Sequence, residues 1–265
     1  MGFAPQWLAL REPADLAARD AGLLGQAARL AGPSPVVVDL GAGTGASLRA
    51  LSPHMPENAQ WQLVDHDPAL LAHAVAAHPQ ARPNVRDLTN LRDLPLSGAT
   101  LVSASALLDL VSENWLRDLA HVLAHHDLPF YAALSYDGVM TWQPPLAADG
   151  AVTAAFNKDQ CTDKGFGPAL GPHAWSCARQ VFAQAGYHVF CAPSPWVLGH
   201  DDAPLQGQLL DGIATAAARA GYTDAQAWHA ARQVQVTQGQ CMIGHQDILA
   251  VPKGRVAQLG AVGGV

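Results

Sequence analysis

Residues 36–49 read VVVDLGAGTGASLR: a run of valines ends on an acid, Asp39, and glycine then recurs at Gly41, Gly43 and Gly45. Glycine at alternate positions lets a ligand lie against bare backbone and lets the chain turn through conformations closed to other residues. GAGTGA also satisfies the G-x-G-x-x-A pattern of dinucleotide sites, and Asp65 follows at the spacing where an acid meets a ribose. Two ligand classes fit such a turn, an anionic dinucleotide and a cationic sulfonium nucleoside. Asp39 favours the second, because a carboxylate so near the first glycine repels a pyrophosphate and attracts a cation.

VVVDL is short, β-branched and apolar on both faces, as a central parallel strand is, and TGASLRAL continues with helical spacing. WQLVDHDPALLAHAVAAH repeats the unit, with a strand ending at Asp65 and Pro68 at a helix start. A third short strand is expected in NVRDLTNL, a fourth in ATLVSASALLDL, a helix in NWLRDLAHVLAHH and a fifth strand in PFYAALSYDG. This alternation predicts an α/β fold with a doubly wound, mostly parallel sheet and ligands at the carboxyl ends of its strands.

Ahead of the first strand, Leu8, Leu10, Leu16, Leu23, Leu24 and Leu30 fit amphipathic helices interrupted by Pro13 and by GPSP. Beyond Gly138, proline, glycine and aromatic residues mix without a clean period as far as Trp175, so the substrate side is expected there. A helix near CARQVFAQAG, a strand in YHVFCAPSPWVL, helical stretches around 205–220 and 223–236 and a last strand in QCMIGHQDILAVP follow. The chain reads as one domain over 1–265, with a helical cap (1–32), a cofactor-binding half (33–137), a substrate-side half with a helical insertion (138–253) and a tail (254–265) expected to fray.

Hydrophobic strand, acid, then G-x-G-x-G is the first motif of the class I S-adenosylmethionine-dependent methyltransferases, and VVVDLGAGTG resembles it, within a likeness that covers roughly residues 33–137. The resemblance implies a Rossmann-like, seven-stranded sheet and S-adenosylmethionine as cofactor, leaving as S-adenosylhomocysteine. It also implies that Gly41, Ala42 and Gly43 lie against the methionine portion, that Gly45 eases helix packing, and that Asp39 orients the turn or the ammonium through water. Asp65, in LVDHD, matches the acid that accepts from both ribose hydroxyls, and His66 would flank the adenine. RDLT matches the third motif, with Asp87 accepting from the adenine amino group and the Leu88 amide meeting the ring. SASALLDL matches the fourth, where Ser103, Ala104 and Ser105 pass beside the methionine and Asp109 faces the acceptor; many small-molecule members carry histidine at that place. Structural alternatives stay open: a strand-to-helix turn holding nothing, Asp65 as the cap of the helix at Pro68, and Asp87 as a turn residue.

Methyl transfer from a sulfonium is an in-line displacement, in which positioning alone contributes ~7–11 kcal/mol. A base is required only when the acceptor carries a proton, and the candidates are Asp109 and Tyr136, with Asp137 beside it. FNKDQCTDKGFG offers Asn157, Asp159, Gln160, Asp163 and Lys164 as contacts for a polar substrate, and elsewhere Trp142, Trp175 and Trp196 are candidates for pocket walls or an aromatic cage.

Composition narrows the partners. Of 265 residues, 49% are apolar and 14% charged, the net charge is -7, and no basic run appears, which disfavours nucleic acid and favours a small-molecule acceptor. The apolar stretches fall short of the ~18 residues of a membrane span, and the start lacks a signal pattern, so a cytoplasmic protein without a membrane partner is expected. Cys161, Cys177, Cys191 and Cys241 lack CxxC spacing and read as buried thiols, and AHH at 124–126 follows a helical pattern on a wet face, so no metal is expected. A methyltransferase acting on RNA or protein, a nucleoside-binding module without transfer and a nicotinamide oxidoreductase are the other readings.

Overall fold

The structure is a computed structural model that describes residues 4–259, so residues 260–265 of the expected fraying tail lie outside the described residues. The first half alternates strands and helices: α1 (Pro5–Ala18), α2 (Ala21–Leu30), β1 (Val36–Leu40), α3 (Ala46–Leu51), β2 (Gln60–Asp65), α4 (Pro68–Ala77), β3 (Arg82–Val85), β4 (Leu101–Ser105) and α5 (Glu113–His125). The second half holds β5 (Phe130–Gln143), α6 (Asp149–Gln160), α7 (Ala174–Gln184), β6 (Tyr187–Pro193), β7 (Trp196–Leu198), α8 (Ala203–Arg219), α9 (Ala225–Gln233) and β8 (Gln240–Pro252).

Seven strands stand in the order β3-β2-β1-β4-β5-β8-β6, and short β7 pairs with β8 as an eighth. The first five are parallel, while β8 runs antiparallel to β5, β6 and β7. Side chains alternate across a strand. Val38 and Leu40 therefore join the core beneath α5 and α7, while Val37 joins the one beneath α2, α3 and α4. Asp39 points to the second face, and the register sets it opposite Ser103 of β4. A third apolar cluster packs the far ends of β5 and β8 against α8 and α9.

Local expectations fail where distant contacts intervene. Pro13 lies inside α1 rather than interrupting it; the break comes at Arg19 and Asp20, whose side chain caps α2 by accepting from the Leu23 amide. The third strand is Arg82–Val85, earlier than expected, because RDLT peels away into an Asp87 turn. β5 runs past Gly138 to Gln143 with two register shifts. At the first, Leu134 adopts φ +58 and donates its amide to buried Asp247, which also accepts from the Tyr131 hydroxyl and the Asp20 amide. A side chain far along the sequence thus fixes the bulge. Residues 149–160, without a clean period, form α6; Asp149 ties its start to α9 by accepting from buried Arg232 and from Trp228. Pro195 separates the expected YHVFCAPSPWVL strand into β6 and β7. Of the cysteines only Cys241 is buried, the other three being half-buried.

Candidate functional site

A cavity of about 900 Å³ opens at the carboxyl ends of β1, β2 and β4, where an open α/β sheet carries its ligands. Its floor begins with the glycine turn. Gly41, Gly43 and Gly45 take φ of +64, +53 and +89, left-handed values that side chains disfavour. The Asp65 carboxylate cross-links this turn to the end of β2, one oxygen accepting from the Gly43 amide at 2.8 Å and the other from the Asp67 amide at 3.0 Å. His66 Nδ1 lies 3.2 Å from Asp65. A carboxylate offers about four lone-pair sites, so accepting capacity remains toward the cavity. The helix cap at Pro68 is Asp67, which accepts from the Ala69 and Leu70 amides. Asp65 is therefore released from that role.

Gly41, Ala42, Gly43, Asp65 and His66 all line the cavity. Asp87, Leu88 and Ser105 line it too. Asp87 also forms a turn, accepting from the Thr89 amide at 2.9 Å, which holds its carboxyl below the usual range. The Trp115 indole donates to the Leu88 carbonyl at 2.7 Å and pins this segment. Gly45, Ser103 and Ala104 stand behind the wall: Gly45 is the left-handed residue that starts α3, with Ala74 of α4 close by.

Asp39 is also behind the wall, wholly buried, and Ser103 Oγ donates to one of its oxygens at 2.7 Å while the other has no partner within bonding distance. Burial raises its pKa to about 6, against the opposing pull of Ser103, nearby Ser47 and Arg19. A carboxyl raised on folding stabilises the protein below its unfolded pKa and loses that contribution as pH rises through the folded value, here from about 4 to about 6. Asparagine keeps an acceptor for Ser103 but does not titrate. Asp39→Asn is therefore expected to gain ~2–3 kcal/mol on the wild type between about pH 4 and about pH 7.5 in urea melts. A pH-independent difference would contradict this assignment.

Asp109 is not among the residues that line the cavity, although Leu107 and Leu110 beside it are; it is enclosed by protein yet keeps some accessible surface, and its Oδ1 is covered and unpartnered. Burial lifts its pKa to about 6, and the Arg11 guanidinium holds it back from rising further. Tyr136 is directed elsewhere: its hydroxyl donates to Asn157 Oδ1 at 2.7 Å, and Asn157 Nδ2 donates to the Gly138 carbonyl at 3.0 Å. Burial pushes the Tyr136 phenol well above its ordinary range, so no phenolate forms near neutral pH. Asn157 braces β5, and Asp163 closes its own loop by accepting from the Gly165 and Gly167 amides. Of the five residues expected to meet substrate, Gln160 and Lys164 line the cavity. Among the tryptophans, Trp142 packs on Trp228, Trp175 packs against the main core, and Trp196 lies under Arg11 and donates to Asp15.

The roof was not legible in the sequence. Trp7, Leu8 and Arg11 of α1 close one side, and Phe156 and Phe166 another. α8 contributes Gln208, Gly212, Ala216 and Arg219, spaced along one helical face. Arg49 clamps the roof to the floor by donating to Glu12 of α1 at 2.8 Å and to the Thr44 carbonyl at 2.6 Å. Beneath the floor, buried Arg19 donates to Ser105 Oγ at 2.9 Å. Helical periodicity announced α1 and α8; nothing local announced which face meets the cavity.

A scan against protein-family models finds no match, and a search of curated proteins finds none. Among solved structures, the chain is similar to the YcgJ protein from Bacillus subtilis, with 16% identity and a TM-score of 0.53 over 87% of this chain and 97% of that one. It is also similar to the cyclopropane synthase MmaA2 from Mycobacterium tuberculosis, with 12% identity and a TM-score of 0.51 over 94% of each chain. A geranyl diphosphate methyltransferase in complex with S-adenosylmethionine aligns over 87% of this chain and 82% of its own, with 12% identity and a TM-score of 0.46. At these identities the likeness is one of architecture, and the chain has the Rossmann-like fold of class I S-adenosylmethionine-dependent methyltransferases.

Proposed function

We propose that this protein binds S-adenosylmethionine on the cavity floor and transfers its methyl group to a small molecule bound under the roof. The observation that carries the reading is the Asp65 carboxylate, bonded to the Gly43 amide of a left-handed glycine turn and still open to the cavity. Asp65 would accept from the ribose hydroxyls, and Asp87 and the Leu88 amide would meet the adenine edge. Gly41 to Gly43 and Ser105 would lie along the methionine portion. Asp39, buried behind the turn, acts through Ser103 and Ser47 on the shape of the floor rather than by contact.

When bound, the cofactor supplies a methyl group on a positively charged sulfur, open to displacement from the opposite side. The protein's task is to hold an acceptor there, exclude water and accept a proton where the acceptor carries one. Asp109, next to the cavity-lining Leu107 and Leu110 though not itself in the lining, is the candidate for the last role: its Oδ1 is unpartnered, and a carboxyl with a pKa of about 6 is ionised at neutral pH and remains basic enough to take a proton. A cavity of about 900 Å³ lies near the upper end of the ~300–1,000 Å³ range of small-molecule sites, room for a nucleoside and a second molecule. The net charge of -7 disfavours RNA as that second molecule.

Calorimetry provides the test: S-adenosylhomocysteine is expected to bind with a dissociation constant of about 100 μM or tighter, and reduced nicotinamide dinucleotide to give no heat. Absence of heat with the sulfur nucleoside would sink the proposal.

A further inference from the structure

The cavity's two ends differ in charge. Asp65 and Asp87 lie at the floor end. The roof end is walled by Trp7, Phe156, Phe166, Leu209 and Ile213, and the titratable side chains there are Lys164, Arg219 and Asp211, with Arg11 and Asp15 of α1, which pair with each other. Asp211 is turned to solvent, with its side chain 64% exposed and bonded to His229 Nε2 at 2.7 Å. Lys164 is the reverse case, an ammonium whose side chain is only 8% exposed. It donates to the Asp159 carbonyl at 3.0 Å, to Asp159 Oδ2 at 3.3 Å and to Thr162 Oγ1 at 2.9 Å. Arg219 takes the two oxygens of the same carboxylate through Nε at 3.0 Å and Nη2 at 2.9 Å. Asp159 is buried, and the Arg219 and Lys164 donors hold its carboxyl below the usual range.

One carboxylate is thus shared by two cations, leaving one positive charge in excess beside an apolar wall. Lys164 spends its three donors on Asp159 and Thr162, so the excess charge rests on Arg219, whose side chain is 51% exposed and lines the cavity; the guanidinium edge that Asp159 does not use can receive an anion there. A guanidinium recognises a carboxylate or a phosphate equally well by geometry. The surrounding chain is acidic, so this pair is a local exception and not part of a basic field.

We propose that the methyl acceptor is an amphiphile, with an apolar body against Phe156, Phe166, Leu209 and Ile213 and one anionic head, a carboxylate or phosphate monoester, on the free edge of Arg219, with the charge of Lys164 behind it. The inference rests on the methyltransferase reading for the word acceptor, and its test separates the two.

Protein saturated with S-adenosylhomocysteine is titrated in a calorimeter with decanoate, decyl phosphate, decanol and decyltrimethylammonium. At least one anion is expected to bind about tenfold or more tighter than decanol, with the cation weakest; the better anion identifies the head. Arg219→Gln is expected to weaken that anion about tenfold while changing S-adenosylhomocysteine affinity less than about twofold. Lys164→Gln is a second variant; both substitutions strip donors from buried Asp159, and retained S-adenosylhomocysteine affinity is the control that the cavity still folds. Equal binding of decanol and the anions, binding by none of the probes, or anion binding indifferent to Arg219→Gln overturns the amphiphile inference while S-adenosylhomocysteine still binds. Failure of S-adenosylhomocysteine itself to bind removes the methyltransferase reading instead, and anion binding that still fell with Arg219→Gln would then support an anion site alone.

Discussion

Asp65→Ala is expected to weaken S-adenosylhomocysteine binding by ~100-fold, measured by calorimetry at constant pH and salt. Two losses combine. The ribose hydroxyls lose a charged acceptor, a class of bond with a net worth of ~1.5–3 kcal/mol. The Gly43 amide also loses its 2.8 Å partner, so a turn held in left-handed conformations is no longer tied to β2. Asp65→Asn separates the two. An asparagine accepts through one atom only and places an NH₂ where Asp67 or Gly43 now donates, so a partial loss of about tenfold is expected. Unchanged affinity in Asp65→Ala would remove the floor from the cofactor site.

The second large effect concerns the acceptor. Asp109→Asn is expected to lower kcat by ~10²–10⁴, the usual contribution of a positioned base, with little change in cofactor affinity. The pH profile distinguishes this role from a structural one. A base works ionised, so wild-type kcat should rise as pH increases through about 6 and then level off. Asparagine does not titrate, and the acid limb should disappear in the variant. An acid limb that persists in Asp109→Asn would assign it to another group, and an unchanged kcat would leave Asp109 without a catalytic part. Arg11 offers a graded check on the same group: its guanidinium lowers the Asp109 pKa, so Arg11→Gln should move the wild-type limb to higher pH.

Much of the sheet was readable from residue order alone. β1, β2 and β4 are apolar runs closed by a carboxylate or a hydroxyl, and a strand's alternation depends on neighbours two residues away. The glycine turn was legible for the same reason, since its left-handed angles demand glycine at those positions. Bulge and helix in the second half were not. Leu134 takes its unusual angle because Asp247 accepts its amide from the other end of the chain, and α6 follows two prolines without a visible period.

Sequence by itself determined the glycine turn, the carboxylate that ends β2 and the alternation of strand and helix in the first half, because each is written in contacts between near neighbours. Tertiary structure alone decided which polar residues face the cavity. Asp39 and Tyr136 look as chemically able as Asp65, which lines the cavity, yet burial against Ser103 commits the first to the interior and a bond to Asn157 engages the second. The roof of α1 and α8, with Arg219 sharing Asp159 with Lys164, depends on which faces of separate helices meet across the fold. Those meetings are settled by burial of apolar area over the whole molecule, a quantity that no local spacing contains.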